Sequence, residues 1–334
     1  MTEQKSSKHL ISVIIPVFNG ERTVERAVRS VLANRTDEIG IETIVVDDGS
    51  TDATPEILDR LARETDIRLI RTENRGAAAA RNAGLRTAKG AFIGFVDSDD
   101  RIQPDMYRKL LLALSEHDAD LAGCGVIHET EYGTIPEKGD GGTAVFEGET
   151  IYRAILGSQG MRGYLWNKLF KRELIHTPLD ESLLQCEDLL FCAQNLESVR
   201  RAAYLSEPLY RYTRKADGEE LSLKRGLSLA GAQEKLLALY REKAPGSAYI
   251  PERNLLKTFL YLRAKAKQEH ERDEAVLSRI RSGIKTHFCR VMREKDVSVK
   301  TKGNIVFTYL FPRASLRIKR RILKKRHQNG IWES

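Results

Sequence analysis

The sequence predicts an α/β fold in which helices flank a mainly parallel sheet, followed by a mostly helical C-terminal extension. Short runs of β-branched residues alternate with amphipathic segments of about 12 residues from position 11 to position 128. Such alternation favours right-handed crossovers between parallel strands. After Leu221 the apolar spacing becomes helical, which predicts the extension.

The predicted strands are compact apolar runs, several of them rich in valine and isoleucine. They cover residues 11–18, 41–46, 67–71, 91–96 and 120–128. The predicted helices lie between them, where apolar residues recur at helical spacing. They cover residues 21–33, 54–63, 77–88 and 104–116.

The remainder of the chain divides by composition. Residues 129–148 are rich in Gly, Glu and Thr, which predicts a flexible connection or a hairpin, and a mixed pattern of helix and short strand follows to residue 212. Long helices are predicted over 221–242, 252–269 and 272–295. The pattern therefore separates residues 1–128, 129–220 and 221–334.

Charge is distributed unevenly over the 334 residues. The chain carries 55 Lys and Arg against 47 Asp and Glu, but residues 240–334 alone hold 24 basic and 9 acidic residues. The acidic N-terminal part and the basic C-terminal part are expected to meet different partners.

The spacing of the cysteines and histidines, and the lack of long apolar runs, disfavour several classes of protein. The four cysteines form no Cys-x-x-Cys pair and the seven histidines no His-x-x-x-His pair, which disfavours zinc sites and disulfide frameworks. No run of about 18 uncharged apolar residues is present, and no cleavage site follows the short apolar run at 10–18. A cytoplasmic protein, or one that is peripheral on the inner face of the plasma membrane, is expected.

Two predicted strands end in clustered carboxylates. Asp47 and Asp48 follow one strand, and Asp97, Asp99 and Asp100 follow another. In an open parallel sheet, ligands bind beyond the carboxyl ends of the strands. Clustered carboxylates repel each other unless a cation or a hydrogen-bonded ligand compensates, and Asp-x-Asp suits Mg²⁺ or Mn²⁺. Helix capping and turn formation are the alternative roles.

The order of these motifs resembles family 2 glycosyltransferases of the GT-A fold, which is Rossmann-like. The resemblance rests on 14–19, on 46–52, on Asn74-x-Gly76 through Arg81-Asn82-x-Gly84, and on 95–100. It is close from residue 10 to about 106 and looser to about 222. It implies metal-dependent transfer of a sugar from a nucleoside-diphosphate sugar, commonly a UDP-sugar, to a saccharide, with inversion. We expect a hexosyltransferase of bacterial surface polysaccharide or glycan assembly.

The resemblance also implies site residues. Residues 1–128 would form the nucleotide-sugar half, and 129–220 the region for acceptor and catalytic base. Asp97 and Asp99 match the Asp-x-Asp that binds Mn²⁺ or Mg²⁺. The donor nucleotide would be bound by Pro16, Val17, Asn19, Asp47, Asp48, Asn74, Gly76, Arg81, Asp97 and Ser98.

The resemblance places the catalytic base at the predicted start of a helix. Asp188 matches the base, with Glu187 as a supporting or competing carboxylate, although acids also favour a helix N-terminus without further role. Trp166 is predicted either to stack on the acceptor sugar or to fill the core. Arg211 or Arg214, followed by Ser222, resembles a pyrophosphate-binding region, but an acidic insertion at 215–220 interrupts it.

The segment 311–327 is basic and amphipathic. It holds eight Lys or Arg within 312–327 and no acid, with apolar residues at helical spacing. An anionic membrane surface suits such a helix, particularly if the acceptor is a lipid-linked saccharide. Packing on its own domain and binding of a polyanion are the alternatives, and nucleic acid is not the expected partner.

Two other functions remain open at this point. A sugar-phosphate nucleotidyltransferase can use a similar sheet, but no glycine-rich basic loop follows the first strand. A nucleotide-sugar-binding scaffold is the alternative without catalysis.

Overall fold

The computed structural model describes residues 9–130, 133–137, 141–157, 160–213 and 221–318. These residues form two compact units. The N-terminal unit comprises the described residues within 9–181 and 187–213, and the C-terminal unit comprises those within 182–186 and 221–318. Among the described residues, no helix is both long and apolar enough to cross a membrane.

The N-terminal unit is built on one sheet. Its strands are β1 His9–Val17, β2 Ile39–Asp47, β3 Ile67–Arg71, β4 Phe92–Phe95, β5 Arg101–Ile102, β6 Leu121–Thr130, β7 Gly133–Pro136, β8 Thr143–Glu147, β9 Lys168–Lys171 and β10 Arg201–Thr213. The strand order is β3-β2-β1-β4-β9-β6-β10-β5, with β7 beside β6 and β8 beside β10.

The pairing confirms the predicted mainly parallel α/β sheet and adds antiparallel strands. β3, β2, β1 and β4 are mutually parallel, as are β6 and β10. β9 lies antiparallel between β4 and β6 and joins these two parallel groups. The predicted connection or hairpin at 129–148 supplies β7, which pairs antiparallel with β6, and β8, which pairs antiparallel with β10.

Helices cover both faces of the sheet. They are α1 Val24–Leu32, α2 Thr54–Glu64, α3 Ala77–Thr87, α4 Met106–Glu116, α5 Glu149–Leu156 and α6 Glu187–Gln194. Val24, Val28 and Leu110 join one buried cluster with Val13 and Ile15. Ile14 points to the opposite face, where a Cβ at position 84 of α3 would lie 2.5 Å from it. Glycine there lets α3 pack close to β1.

The C-terminal unit is helical, as the spacing predicts. It contains α7 Leu223–Lys243, α8 Tyr249–Glu269, α9 Glu274–Arg293 and α10 Val299–Leu310, and residues 312–318 are also helical. Ser222, Asp273 and Ser298 cap the N-termini of α7, α9 and α10 with side-chain hydrogen bonds. Sequence reasoning missed α10. Of the predicted tail 311–327, residues 319–327 lie outside the described residues.

Candidate functional site

A cleft of about 610 Å³ opens beyond the carboxyl ends of β1, β2 and β4. It is lined by ten of the fourteen residues that the sequence assigns to a site, namely Pro16, Val17, Asn19, Asp48, Asn74, Gly76, Arg81, Asp97, Ser98 and Asp99. Parallel pairing of β1 with β2 and β4 places the loops after these strands side by side. The topology therefore gathers motifs that are far apart in the sequence.

The loop after β1 is tied to the turn after β2. The Asn19 N–H donates to Ser50 Oγ (2.9 Å), and the Asn19 side-chain oxygen accepts from the Thr51 N–H (2.8 Å). The Gly20 N–H donates to Thr54 Oγ1 (2.8 Å). Asn19 has a φ of 52°, in the left-handed region that asparagine tolerates better than most residues. Its side chain thus shapes the rim of the cleft.

Of the adjacent Asp47 and Asp48, only Asp48 lines the cleft. Its two carboxylate oxygens accept from the backbone N–H groups of Gly76 (2.7 Å) and Arg75 (3.1 Å), so it holds the turn before α3. Asp47 is 2% exposed and accepts from the Ser50 N–H (3.0 Å) within its own turn. A donor contact by Asp47 stays a prediction.

A single guanidinium that lines the cleft joins Asp97 of the cleft lining with two acidic residues outside that lining. Arg81 is 5% exposed, and its Nη atoms lie 2.8 Å from Asp97, 3.1 Å from Asp188 and 3.4 Å from Glu187. Glu187 and Asp188 begin α6, as predicted. The Nε atom of Arg81 is buried without a hydrogen-bond partner among the described residues. The cluster connects the Asp-x-Asp motif with the proposed base.

Burial and charge set the protonation of this cluster. Burial raises the pKa of Asp188 to about 7, although the charge of Arg81 opposes the shift. Burial also opposes charging of Arg81, but the carboxylates of Asp188, Asp97 and Glu187 outweigh it and raise the pKa of the guanidinium. Asp188 is therefore a carboxyl that can exchange a proton near neutral pH.

Asp100 is a residue whose role the sequence did not reveal. It is fully buried and accepts from the Tyr210 hydroxyl (2.7 Å) and the Thr213 N–H (2.7 Å). The same Tyr210 hydroxyl accepts from the Asp97 N–H (3.2 Å). Burial, with the nearby charge of Asp97, raises the pKa of Asp100 to about 8. Asp100 thus fixes the Asp-x-Asp motif to β10. In the sequence, only its position next to Asp99 could have pointed to this role.

The metal prediction depends on Asp97 and Asp99. Among the described residues no three His, Cys, Asp or Glu side chains are arranged to hold a metal ion. Mg²⁺ commonly takes one or two protein carboxylates and completes its coordination with substrate phosphates and water. The two carboxylates fit that mode, in which the donor supplies ligands, and do not form a closed protein cage.

Trp166 lies inside an aromatic stack. It is 5% exposed, and its ring centroid is 4.2 Å from that of Tyr210, 4.5 Å from that of Tyr164 and 5.5 Å from that of Tyr212. This placement agrees with the core-filling alternative, and an acceptor contact by the indole stays a prediction. Through Tyr210 the stack also supports the Asp-x-Asp turn.

Of the downstream residues, Arg211 does not line the cleft. Arg211 pairs with Glu129 (2.8 Å), and Ser222 accepts from the Arg225 N–H at the start of α7. Arg214 lies outside the described residues.

The chain is similar to known glycosyltransferases. The profile of Glycosyl transferase family 2 matches residues 12–176. EpsH of Bacillus subtilis (strain 168), a glycosyltransferase by its name, is 32% identical over 256 residues, which cover 75% of this chain and 71% of EpsH. TarS of Staphylococcus aureus (strain Mu50 / ATCC 700699), a poly(ribitol-phosphate) β-N-acetylglucosaminyltransferase, is 27% identical over 220 residues, or 63% of this chain and 36% of TarS.

Solved structures show the same fold. Residues 1–349 of S. aureus TarS in complex with UDP-GlcNAc match with a TM-score of 0.64 and 21% identity, covering 97% of this chain and 93% of that one. The mannosyltransferase PcManGT of Pyrobaculum calidifontis, in complex with GDP-Man and Mn²⁺, matches with a TM-score of 0.53 and 15% identity, covering 92% of this chain and 87% of that one. The predicted GT-A fold is confirmed.

Proposed function

The chain belongs to glycosyltransferase family 2, and on that premise we propose that it transfers a sugar, with inversion, from a nucleoside-diphosphate sugar to a saccharide acceptor. The observation that carries the proposal is the Arg81 cluster, which holds Asp97 of the donor cleft and Asp188 on one guanidinium. A displacement at an anomeric carbon needs a stabilised leaving group and a base on the opposite face.

The donor end is assigned to the cleft. Asp48 preorganises the backbone around Gly76 at the start of α3, where a helix N-terminus favours an anionic group. Asp97 and Asp99 would hold Mn²⁺ or Mg²⁺ together with the donor phosphates, and the ion would neutralise charge on the departing diphosphate. Arg81 orients Asp97 through an ion pair of 2.8 Å.

The base is assigned to Asp188. In the proposed step the acceptor oxygen bonds to the anomeric carbon while the bond from that carbon to the phosphate oxygen breaks, and the hydroxyl proton passes to Asp188. A carboxyl with a pKa of about 7 is a stronger base than an exposed one and is still substantially ionised at neutral pH. Glu187 shares the Arg81 guanidinium and would support this charge distribution.

We propose a UDP-sugar as donor and a surface polysaccharide or lipid-linked saccharide as acceptor. Support for the donor comes from the UDP-GlcNAc bound by the TarS fragment of the same fold. Support for the acceptor class comes from TarS itself, whose name gives poly(ribitol-phosphate) as its substrate. A cytoplasmic enzyme peripheral on the inner face of the plasma membrane would suit such an acceptor.

The test is transfer by the purified chain from a panel of UDP-, GDP- and dTDP-sugars, with Mn²⁺ or EDTA, to an oligosaccharide panel. We expect one donor to yield a product of inverted anomeric configuration, only with metal, and Asp188→Asn to abolish it. A product of retained configuration would contradict the proposed single displacement. Wild-type turnover by the variant would contradict the assignment of the base.

A further inference from the structure

Exposed apolar side chains concentrate at the end of the described C-terminal unit. Of the ten large hydrophobic residues that are exposed in the described part of the chain, six lie between positions 299 and 318. Four of them form what we term the terminal apolar face: Phe307 (39% exposed), Leu310 (59%), Phe311 (55%) and Ile318 (46%). The Phe307 and Phe311 ring centroids lie 5.5 Å apart, and Phe311 and Ile318 line one groove. Large exposed apolar patches mark interaction sites.

The terminal apolar face is held on a packed support. Ile305 of α10 is 2% exposed, and Leu316 in the helical segment 312–318 is 8% exposed. Arg263 of α8 donates to the Tyr309 carbonyl (3.1 Å) and lies over the Tyr309 ring. Since these inward residues fix the backbone, the outward side chains between them remain toward solvent.

The surroundings of this face are cationic. A groove of about 910 Å³ is lined by Phe311, Ile318 and three basic residues, Lys267, Arg313 and Arg317, together with Pro312 and Ala314. No acid lines it. In the sequence, residues 297–332 contain ten Lys or Arg and no Asp or Glu. The partner must therefore present negative charge beside apolar material.

We propose that the terminal apolar face inserts into the interfacial region of an anionic lipid bilayer, with Arg313 and Arg317 on the lipid phosphates. Apolar side chains bounded by cations match the acyl and headgroup layers of such a surface. A nucleic acid would satisfy the cations and leave Leu310 and Phe311 in water. The proposed contact begins within α10, before the predicted tail 311–327, and it does not depend on the transferase reaction.

The test is sedimentation of the full chain with vesicles of phosphatidylcholine alone or mixed equally with phosphatidylglycerol. We expect binding only to the anionic vesicles. Leu310→Ser should weaken it by about tenfold, because less apolar surface leaves water. Arg313→Gln with Arg317→Gln should weaken it by about 30-fold, corresponding to about 1 kcal/mol per basic residue. Added salt should also weaken binding of the wild type, because it screens the attraction to the anionic lipids.

Matched control variants test whether any exposed leucine or any pair of exposed arginines would have the same effect on vesicle binding. Leu112→Ser removes a leucine that is 44% exposed in the N-terminal unit, and Arg63→Gln with Arg86→Gln removes two exposed arginines there. These variants should bind vesicles as the wild type does.

Three results would overturn the proposal. One is vesicle binding that Leu310→Ser leaves intact, and another is equal weakening by Leu112→Ser. The third is a dimer that Leu310→Ser dissociates without loss of vesicle binding, which would assign the face to a second copy. Because vesicle binding is measured without donor or acceptor, absent transferase activity would refute the proposed reaction and leave this result standing.

Discussion

Replacing the Asp188 carboxylate by an amide tests the assignment of the base. Asp188→Asn keeps nearly the same shape, and its side-chain oxygen can still accept from Arg81 at 3.1 Å, but it cannot take a proton. General-base catalysis contributes about 100- to 10,000-fold, so we expect kcat to fall by that factor. Donor binding should change by less than about threefold, because Asp188 does not line the cleft.

The pH dependence of the wild type provides the second readout of this prediction. With a pKa of about 7, Asp188 loses its proton near neutrality, so kcat/KM should fall about tenfold per pH unit below 7. The pKa of Asp188 in the folded protein exceeds the ordinary aspartate value of 3.8, so this group stabilises the fold at acidic pH, and the contribution is lost as pH rises toward 7. In Asp188→Asn, this decrease in stability between acidic and neutral pH should be absent.

Steady-state transfer assays and nucleotide titrations of both proteins measure these effects. The control is Glu187→Gln, which changes the other acid at the start of α6 and should lower kcat by less than about tenfold. The reasoning is refuted if Asp188→Asn retains wild-type kcat, or if Glu187→Gln shows the larger loss.

Three further variants address the support of the site. Arg81→Gln leaves three partly buried carboxylates without their cation, so we expect about 1–3 kcal/mol of destabilisation in urea unfolding. The pKa of Asp188 in the pH–rate profile should also rise, and an unchanged profile would contradict this. Asp48→Asn places an amide NH₂ donor against one of the two backbone N–H groups that Asp48 accepts from. Calorimetry should therefore show weaker nucleotide binding, while kcat stays close to that of the wild type. Gly90→Ala places a Cβ 2.5 Å from backbone nitrogen of β1, and thermal unfolding should reveal about 1–3 kcal/mol of destabilisation; an unaltered Tm would show that the strands can separate there.

The sequence predicts most of the N-terminal unit because each local pattern agrees with the fold. The predicted third strand, 67–71, has the same first and last residues as β3 in the structure. Helix α3 begins at Ala77, as predicted, after a glycine with a φ of 93°. Helix starts at Val24 and Met106 came later than the predicted 21 and 104, since propensity does not resolve single residues at helix ends.

Other features depend on tertiary contacts that the pattern does not contain. The two-residue strand β5 exists through its pairing with β10, and β8 likewise pairs with β10 over five positions. Three side-chain positions also depend on the folded structure. Asp47 accepts a hydrogen bond from its own turn, Asp100 is buried against Tyr210, and Trp166 packs on Tyr210. Spacing placed the acids at one edge of the sheet and could not decide which of them reach the cleft.

The most direct test of the central claim is calorimetric titration of the chain with UDP, GDP and dTDP, each with and without Mn²⁺, beside Asp99→Asn. The proposed donor cleft predicts tight binding of one nucleotide, UDP, that requires the metal and is lost in the variant. Binding of none of them, or binding that persists in both EDTA and the variant, would contradict the proposed donor site.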